Sequence, residues 1–107
     1  MQFTYFGHSC FLVETNGSRI LFDPFISSNE LAKDISLSDI EADYILVSHG
    51  HFDHIADCVT LAQSTGAKVV SNWEIYEWLT KQKLTNLHPM NTGGKWDFGP
   101  FSVRSTA

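Results

Sequence analysis

Asp43-Tyr44-Ile45-Leu46-Val47-Ser48-His49-Gly50-His51-Phe52-Asp53-His54 is the stretch on which the reading of this chain turns. Its first half, Asp43 to Ser48, is short, apolar and rich in branched and aromatic side chains, which predicts a buried strand. Its second half holds three of the chain's five histidines within six residues, with an aspartate among them. His49 and His51 stand two apart on an extended segment leaving that strand, so their side chains project to one side and can grip one ion. Asp53 and His54 follow after the chain turns and face a neighbouring point, where a second ion fits. Imidazole and carboxylate suit zinc or manganese, with nickel or iron as the alternatives. A single histidine at a strand end is more often a hydrogen-bonded structural residue. Four polar groups crowded beside a core are harder to explain that way, because without an ion they would be a costly cluster.

Working outward, strands and helices alternate around this segment. On its N-terminal side, Phe3, Tyr5 and then Cys10-Phe11-Leu12-Val13 read as strands. Asn16-Gly17 between Phe11-Leu12-Val13 and Ile20-Leu21-Phe22 is a strong hairpin signal. Pro24 has no amide hydrogen to donate and ends the second of those strands. Residues from Ile26 to Ala42 are polar and weakly periodic, predicting a loop with at most one short helical turn. On the C-terminal side a helix is expected over roughly Ala56 to Thr65, with Cys58, Leu61 and Ala62 on its inner face and Gly66 just past its end. Lys68-Val69-Val70 is the next strand. Ser71 followed by Glu74 has the spacing of a capping box opening a helix with Ile75, Tyr76 and Leu79 on one face. After Leu87-His88-Pro89-Met90 and the turn-rich Asn91-Thr92-Gly93-Gly94 come two short strand candidates, around Trp96-Phe98 and Phe101-Arg104. The alternation predicts an α/β protein.

Composition narrows the function classes. The chain has 107 residues, 43% hydrophobic and 18% charged, with a formal net charge of −5. That length supports one domain. The acidic balance argues against a nucleic-acid or membrane-surface binder, which would need clustered Lys and Arg. No apolar run approaches a membrane span, the polar start is not a signal peptide, and the two distant cysteines form no disulfide framework, so a cytoplasmic protein is expected.

Three more polar residues need weighing. Asp23 either supports a ligand histidine by hydrogen bond or is a turn carboxylate accepting backbone amides. His8, after Gly7 at a strand boundary, either points into the site cleft or is an ordinary turn histidine, with the balance slightly towards the site. His88, before Pro89, reads as structural or substrate-proximal. Trp73, Tyr76 and Trp78 read as core and helix-face packing, and Cys10 and Cys58 as buried, inert thiols.

The pattern His49-x-His51-x-Asp53-His54 after an apolar strand resembles the signature of the metallo-β-lactamase superfamily. Gly7-His8-Ser9-Cys10-Phe11-Leu12-Val13-Glu14, Ile20-Leu21-Phe22-Asp23-Pro24-Phe25 and His88-Pro89-Met90-Asn91-x-Gly93-Gly94 are similar to stretches of one branch, the prokaryotic metal-dependent hydrolases related to ascorbate-6-phosphate lactonase. The resemblance implies a four-layer αβ/βα sandwich with a two-metal site at the edge between two sheets. It implies a metal-activated hydroxide attacking an ester, lactone or phosphodiester of a small-molecule substrate, with Asp53 both a ligand and an orienter of the nucleophile. Members of the family are longer, and their remaining ligands lie further along. Residues 1–107 therefore read as the N-terminal part of a single metallo-β-lactamase-like domain whose C-terminal half is absent. The expectation is a truncation, a fragment or one piece of an assembly, inactive alone, with a sticky apolar sheet face that favours self-association or pairing with the missing half. The rival readings are a nucleic-acid-processing hydrolase of the same superfamily and a non-catalytic metal-binding or interaction fragment.

Overall fold

The first apolar runs pair as neighbours around tight turns. In the computed structural model, which describes residues 1–106, β1 (Gln2–Gly7), β2 (Cys10–Thr15) and β3 (Ser18–Phe22) form an antiparallel meander. Thr15 pairs with Ser18, so Asn16 and Gly17 alone close the hairpin, with φ of 49° and 78°. Both angles are what a two-residue turn matched to strand twist requires.

From β3 onward the pairing becomes parallel. β4 (Tyr44–Leu46), β5 (Lys68–Ser71) and β6 (Leu87–Pro89) add in order, giving one sheet arranged β1-β2-β3-β4-β5-β6. Parallel neighbours need crossovers. One runs through short 3-10 turns at Glu30–Ala32 and Leu37–Asp39. The next carries α1 (Phe52–Ile55) and α2 (Cys58–Thr65), and the last carries α3 (Trp73–Lys81). Because the strands are added in one direction, crossovers of the usual right hand all fall on the same face of the sheet.

The strand registers show the result. Leu12, Leu21, Ile45, Val69 and Leu87 form a cross-strand row on the helix side. There they join a core with Ile26, Cys58, Leu61, Ile75 and Leu79. Leu21, Ile45, Leu61 and Leu79 are wholly buried, each contributing about 1.5–3 kcal/mol to stability. The opposite face is also apolar: Phe11, Phe22, Leu46, Val70 and His88 form one row, and Val13, Ile20 and Tyr44 lie in the next. An antiparallel hairpin of β7 (Lys95–Asp97) and β8 (Ser102–Arg104) lies over one end of it. Phe101 meets the Tyr44 ring edge-on at 4.7 Å, and Trp96 and Phe98 each lie 5.0 Å from His88. At the other end Phe3 and Tyr5 remain 63% and 61% exposed. The α/β class is as expected, and the described residues form a six-stranded sheet with helices on one face and the β7–β8 hairpin on the other.

Several local expectations need correction. β4 stops at Leu46 instead of Ser48, because Val47 still donates to Val70 but the Ser48 amide turns to the Asp23 carboxylate. Asp53 and His54 lie in a short helix, α1, where only a turn was expected, and α2 starts at Cys58. Ser71 does not cap α3. It stays in β5, where its carbonyl accepts from the Met90 amide, and Asn72 caps instead, accepting from the Ile75 amide at 2.9 Å. Leu87–Pro89 is a strand, and the loop from Ile26 to Ala42 holds two helical turns where one at most was expected. Trp73 and Trp78 are 51% and 42% exposed and so lie outside the core. Only Ile75 and Leu79 of that helix turn fully inward.

Candidate metal centre

Asp23 organises the site from beneath. It sits just past β3 with φ 43° and is 7% exposed. Its carboxylate accepts the Ser48 amide at 2.6 Å, the Ser48 hydroxyl at 2.7 Å and lies 2.9 Å from His54 Nδ1. The two sequence readings of Asp23 therefore describe one arrangement, in which a turn carboxylate holding a backbone amide also holds a histidine. A carboxylate at Nδ1 fixes the proton there and leaves the Nε2 lone pair of His54 facing away from Asp23.

Nε2 faces Asp53, whose Oδ1 lies 3.7 Å away. The other oxygen of Asp53 is 2.8 Å from Nε2 of His8, which arrives from the β1–β2 turn. The His54 ring lies 4.0 Å from that of His49 and 5.2 Å from that of His8, and His49 and His51 are 4.6 Å apart. Nδ1 of His49 is 2.9 Å from the Ser48 hydroxyl. The structure thus brings His8, His49, His51, Asp53 and His54 to one place, with Asp23 behind them. The tightest trio of donor atoms belongs to His8, Asp53 and His54, all within 4.8 Å of one another.

The electrostatics follow from the neighbours. Partial desolvation pushes the Asp53 carboxyl up, but the His54 and His8 imidazoles outweigh it and hold Asp53 below the ordinary carboxylate value. Cys10 and Cys58 are the buried thiols expected, and burial raises them to about 11 and about 12. His88 packs against Trp96 and Phe98, away from the cluster. Burial, with Lys68 nearby, pushes it below the ordinary histidine value.

The donor set fits a divalent ion. Donors about 2.0–2.1 Å from a tetrahedral ion lie roughly 3.4 Å from one another. The His54 Nε2–Asp53 Oδ1 separation of 3.7 Å is close to that edge, the 2.8 Å His8 contact to the other Asp53 oxygen is shorter than it, and the whole trio lies within 4.8 Å, so modest side-chain shifts bring the donors to an ion.

One carboxylate was not singled out in the sequence. Asp57 is 3% exposed and accepts the amides of Ile26 and Ser27, with the Ser27 hydroxyl on its other oxygen. It staples the loop after Asp23 to the start of α2. An aspartate just before a periodic apolar segment is a helix-start signal, which could have drawn attention to it. Its side chain makes no cap, however, and reaches another loop instead.

Two cavities flank the histidine segment. One, of about 370 Å³, is lined in part by Asp23, Ser48, Asn72, Thr92 and Arg104. The other, of about 620 Å³, lies beside Gly50, Phe52, Ile75 and Trp78.

A family model of the metallo-beta-lactamase superfamily matches residues 4–99. A UPF0173 metal-dependent hydrolase from Carboxydothermus hydrogenoformans is 48% identical over 106 residues, which are 99% of this chain and 46% of the relative. A protein of the same description from Methylacidiphilum infernorum is 52% identical over 101 residues, 92% of this chain and 45% of that one. A solved metallo hydrolase from the hyperthermophilic archaeon Ignicoccus hospitalis superposes with a TM-score of 0.78 at 40% identity, covering 90% of this chain and 42% of the other. A B3 metallo-beta-lactamase with an active-site glutamic acid shares the fold, with a TM-score of 0.65 at 24% identity over 96% of this chain and 47% of its own. The chain spans a little under half the length of the curated relatives it matches. With that family model matching residues 4–99, nearly the whole chain, this chain belongs to the metallo-β-lactamase superfamily.

Proposed function

We propose that this chain carries the metal-binding first half of a metal-dependent hydrolase acting on an ester, lactone or phosphodiester of a small metabolite. The observation that carries the reading is the orientation of His54. Asp23 occupies its Nδ1 and leaves Nε2 beside Asp53, among the rings of His8, His49 and His51. In this reading His49 and His51 hold one divalent ion, and Asp53 and His54 hold a second, zinc or manganese before nickel or iron. When bound, such ions lower the pKa of a water and polarise a carbonyl or phosphoryl oxygen. Asp53 orients the attacking water through its carboxylate, and Asp23 fixes the tautomer of His54.

A small-molecule substrate is supported by the size of the flanking cavities, which fall in or near the range typical of ligand pockets. The net charge of −5 weighs against nucleic acid. Two free buried thiols suit a reducing compartment, and we assign the protein to the cytoplasm. Among the described residues no helix is long and apolar enough to cross a membrane. Residues 1–107 form the N-terminal part of one domain, and the remaining ligands come from a second half. The aromatic sheet face bearing Phe3, Tyr5 and Phe11 is where that half or a second copy packs.

The test is hydrolysis of a chromogenic phosphodiester and of a lactone, with and without manganese. It is run on the 107-residue chain and on a longer polypeptide carrying it. The expected result is manganese-dependent turnover by the longer form, abolished by His51→Ala, and none by the short chain. Cleavage of RNA or DNA without small-ester turnover would replace the proposal with the nucleic-acid reading. Metal-independent turnover would overturn it.

A further inference from the structure

The β1–β2 turn spends conformational freedom to place one histidine. His8 has φ 53° and follows Gly7 at φ 114°, so two successive residues take left-handed backbone angles. Histidine visits that region less readily than glycine, and here it is held there. The Tyr5 hydroxyl donates to the His8 carbonyl at 2.7 Å, and the His8 ring stands edge-on to Phe25 at 5.7 Å. A turn histidine with no task would project into solvent. This one, although 43% of its side chain is exposed, turns towards the cluster, its Nε2 2.8 Å from Asp53 and its ring 5.2 Å from that of His54.

We propose that His8 is a third ligand to the ion shared by Asp53 and His54, so that one of the two ions is held by three side chains of this chain. The inference rests on the metal-centre reading above and adds a residue to it. Three donors that already lie within 4.8 Å of one another reach the roughly 3.4 Å spacing around an ion once the 2.8 Å His8–Asp53 contact opens and the wider pairs draw in. The ion of His49 and His51 has two donors here. The two ions are therefore unequal, and the one touched by His8 binds more tightly.

Cobalt(II) titration of the 107-residue chain, read by calorimetry and by visible absorption, tests this. The variant is His8→Asn, since asparagine tolerates positive φ and its short amide cannot reach the ion as the imidazole does. His8→Gly, suited to the same backbone, serves if circular dichroism shows His8→Asn misfolded. Wild type is expected to bind two ions of unequal affinity. The variant should weaken the tighter one by about tenfold or more and change its visible bands. His49→Ala should weaken only the other. If wild type binds two ions and His8→Asn leaves both affinities and the spectrum unchanged, the His8 assignment is overturned while the metal centre stands. If wild type binds no cobalt, the metal reading itself fails and takes this inference with it.

Discussion

Replacing Asp23 separates two tasks performed by one carboxylate. In Asp23→Ala, the Ser48 amide, the Ser48 hydroxyl and His54 Nδ1 all lose their acceptor, and the hydroxyl retains only its 2.9 Å contact with His49 Nδ1. An orphaned donor costs about 1–3 kcal/mol where water cannot reach it and less where it can. An alanine held at the φ of 43° adds about 1 kcal/mol. Ser48 is exposed and the His54 side chain is 14% exposed, so water relieves part of both losses, and the expected destabilisation is about 2–3 kcal/mol. Asparagine behaves differently, because it accepts the left-handed backbone and keeps an oxygen for the Ser48 amide. Its cost is about 1–2 kcal/mol. Its amide NH2, however, donates to Nδ1 of His54 and drives the ring proton onto Nε2, the atom facing Asp53. Metal affinity should then fall about 10–100-fold while the fold persists. Urea denaturation followed by fluorescence of Trp73, Trp78 and Trp96 gives the first quantity, and competition with a chromophoric chelator gives the second. Wild-type metal affinity in Asp23→Asn would refute the tautomer argument. Stability of Asp23→Ala within about 0.5 kcal/mol of wild type would refute the buried-acceptor argument.

Gly7→Ala should destabilise by about 1–3 kcal/mol, chiefly because the backbone is at φ 114°, with a smaller cost for moving the Asn29 side-chain amide that a Cβ would meet at 2.7 Å. Gly17→Ala, at φ 78° with nothing within 4 Å, should cost less, and thermal melts that rank the two the other way would contradict the steric account. Acid should also weaken the fold through His88. Its pKa is depressed in the folded state, chiefly by burial and then by Lys68, so its neutral form favours folding above the ordinary value of about 6.5. That contribution fades as pH falls through about 6.5. His88→Phe, which keeps the ring contacts, should therefore lose less stability than wild type between pH 7.5 and about 5.5. Equal losses in the two proteins would remove His88 as the cause.

Local chemistry made much of the fold legible. Asn16-Gly17 and Gly66 require backbone angles that few other residues adopt, and both are found where they were expected, Gly66 at φ 72°. Tyr44-Ile45-Leu46 shows its burial through an unbroken apolar run. Tertiary context decided the rest. Ser71 and Asn72 are both good caps, and the choice between them depends on whether β6 takes the Ser71 carbonyl, which no local pattern records. Leu87-His88-Pro89 contains a proline and is too short to announce itself as a strand, yet an edge position tolerates it. Helix periodicity around Trp73 and Trp78 mixes apolar bulk with exposure, so their outward position was hidden. In the candidate site, the spacing of His49, His51, Asp53 and His54 marked the segment, because those residues lie within six positions between β4 and the end of α1. His8 lies in the β1–β2 turn and Asp23 just past β3, and Asp57 reaches across to Ile26 and Ser27, so their meetings depend on the sheet order.

Parallel strands point every carboxyl terminus the same way, and this sheet gives its two rims unlike duties. Along one rim lie the segments that follow β3, β4, β5 and β6, together with the turn bearing His8. Along the other lie Asn16-Gly17, the Arg19–Asp43 ion pair, and Asn86 donating to the Gly66 carbonyl, which are connectors that hold strand starts together. Loop exchange on the first rim can change what the protein recognises without disturbing strand pairing, and insertions or fused tags belong on the second.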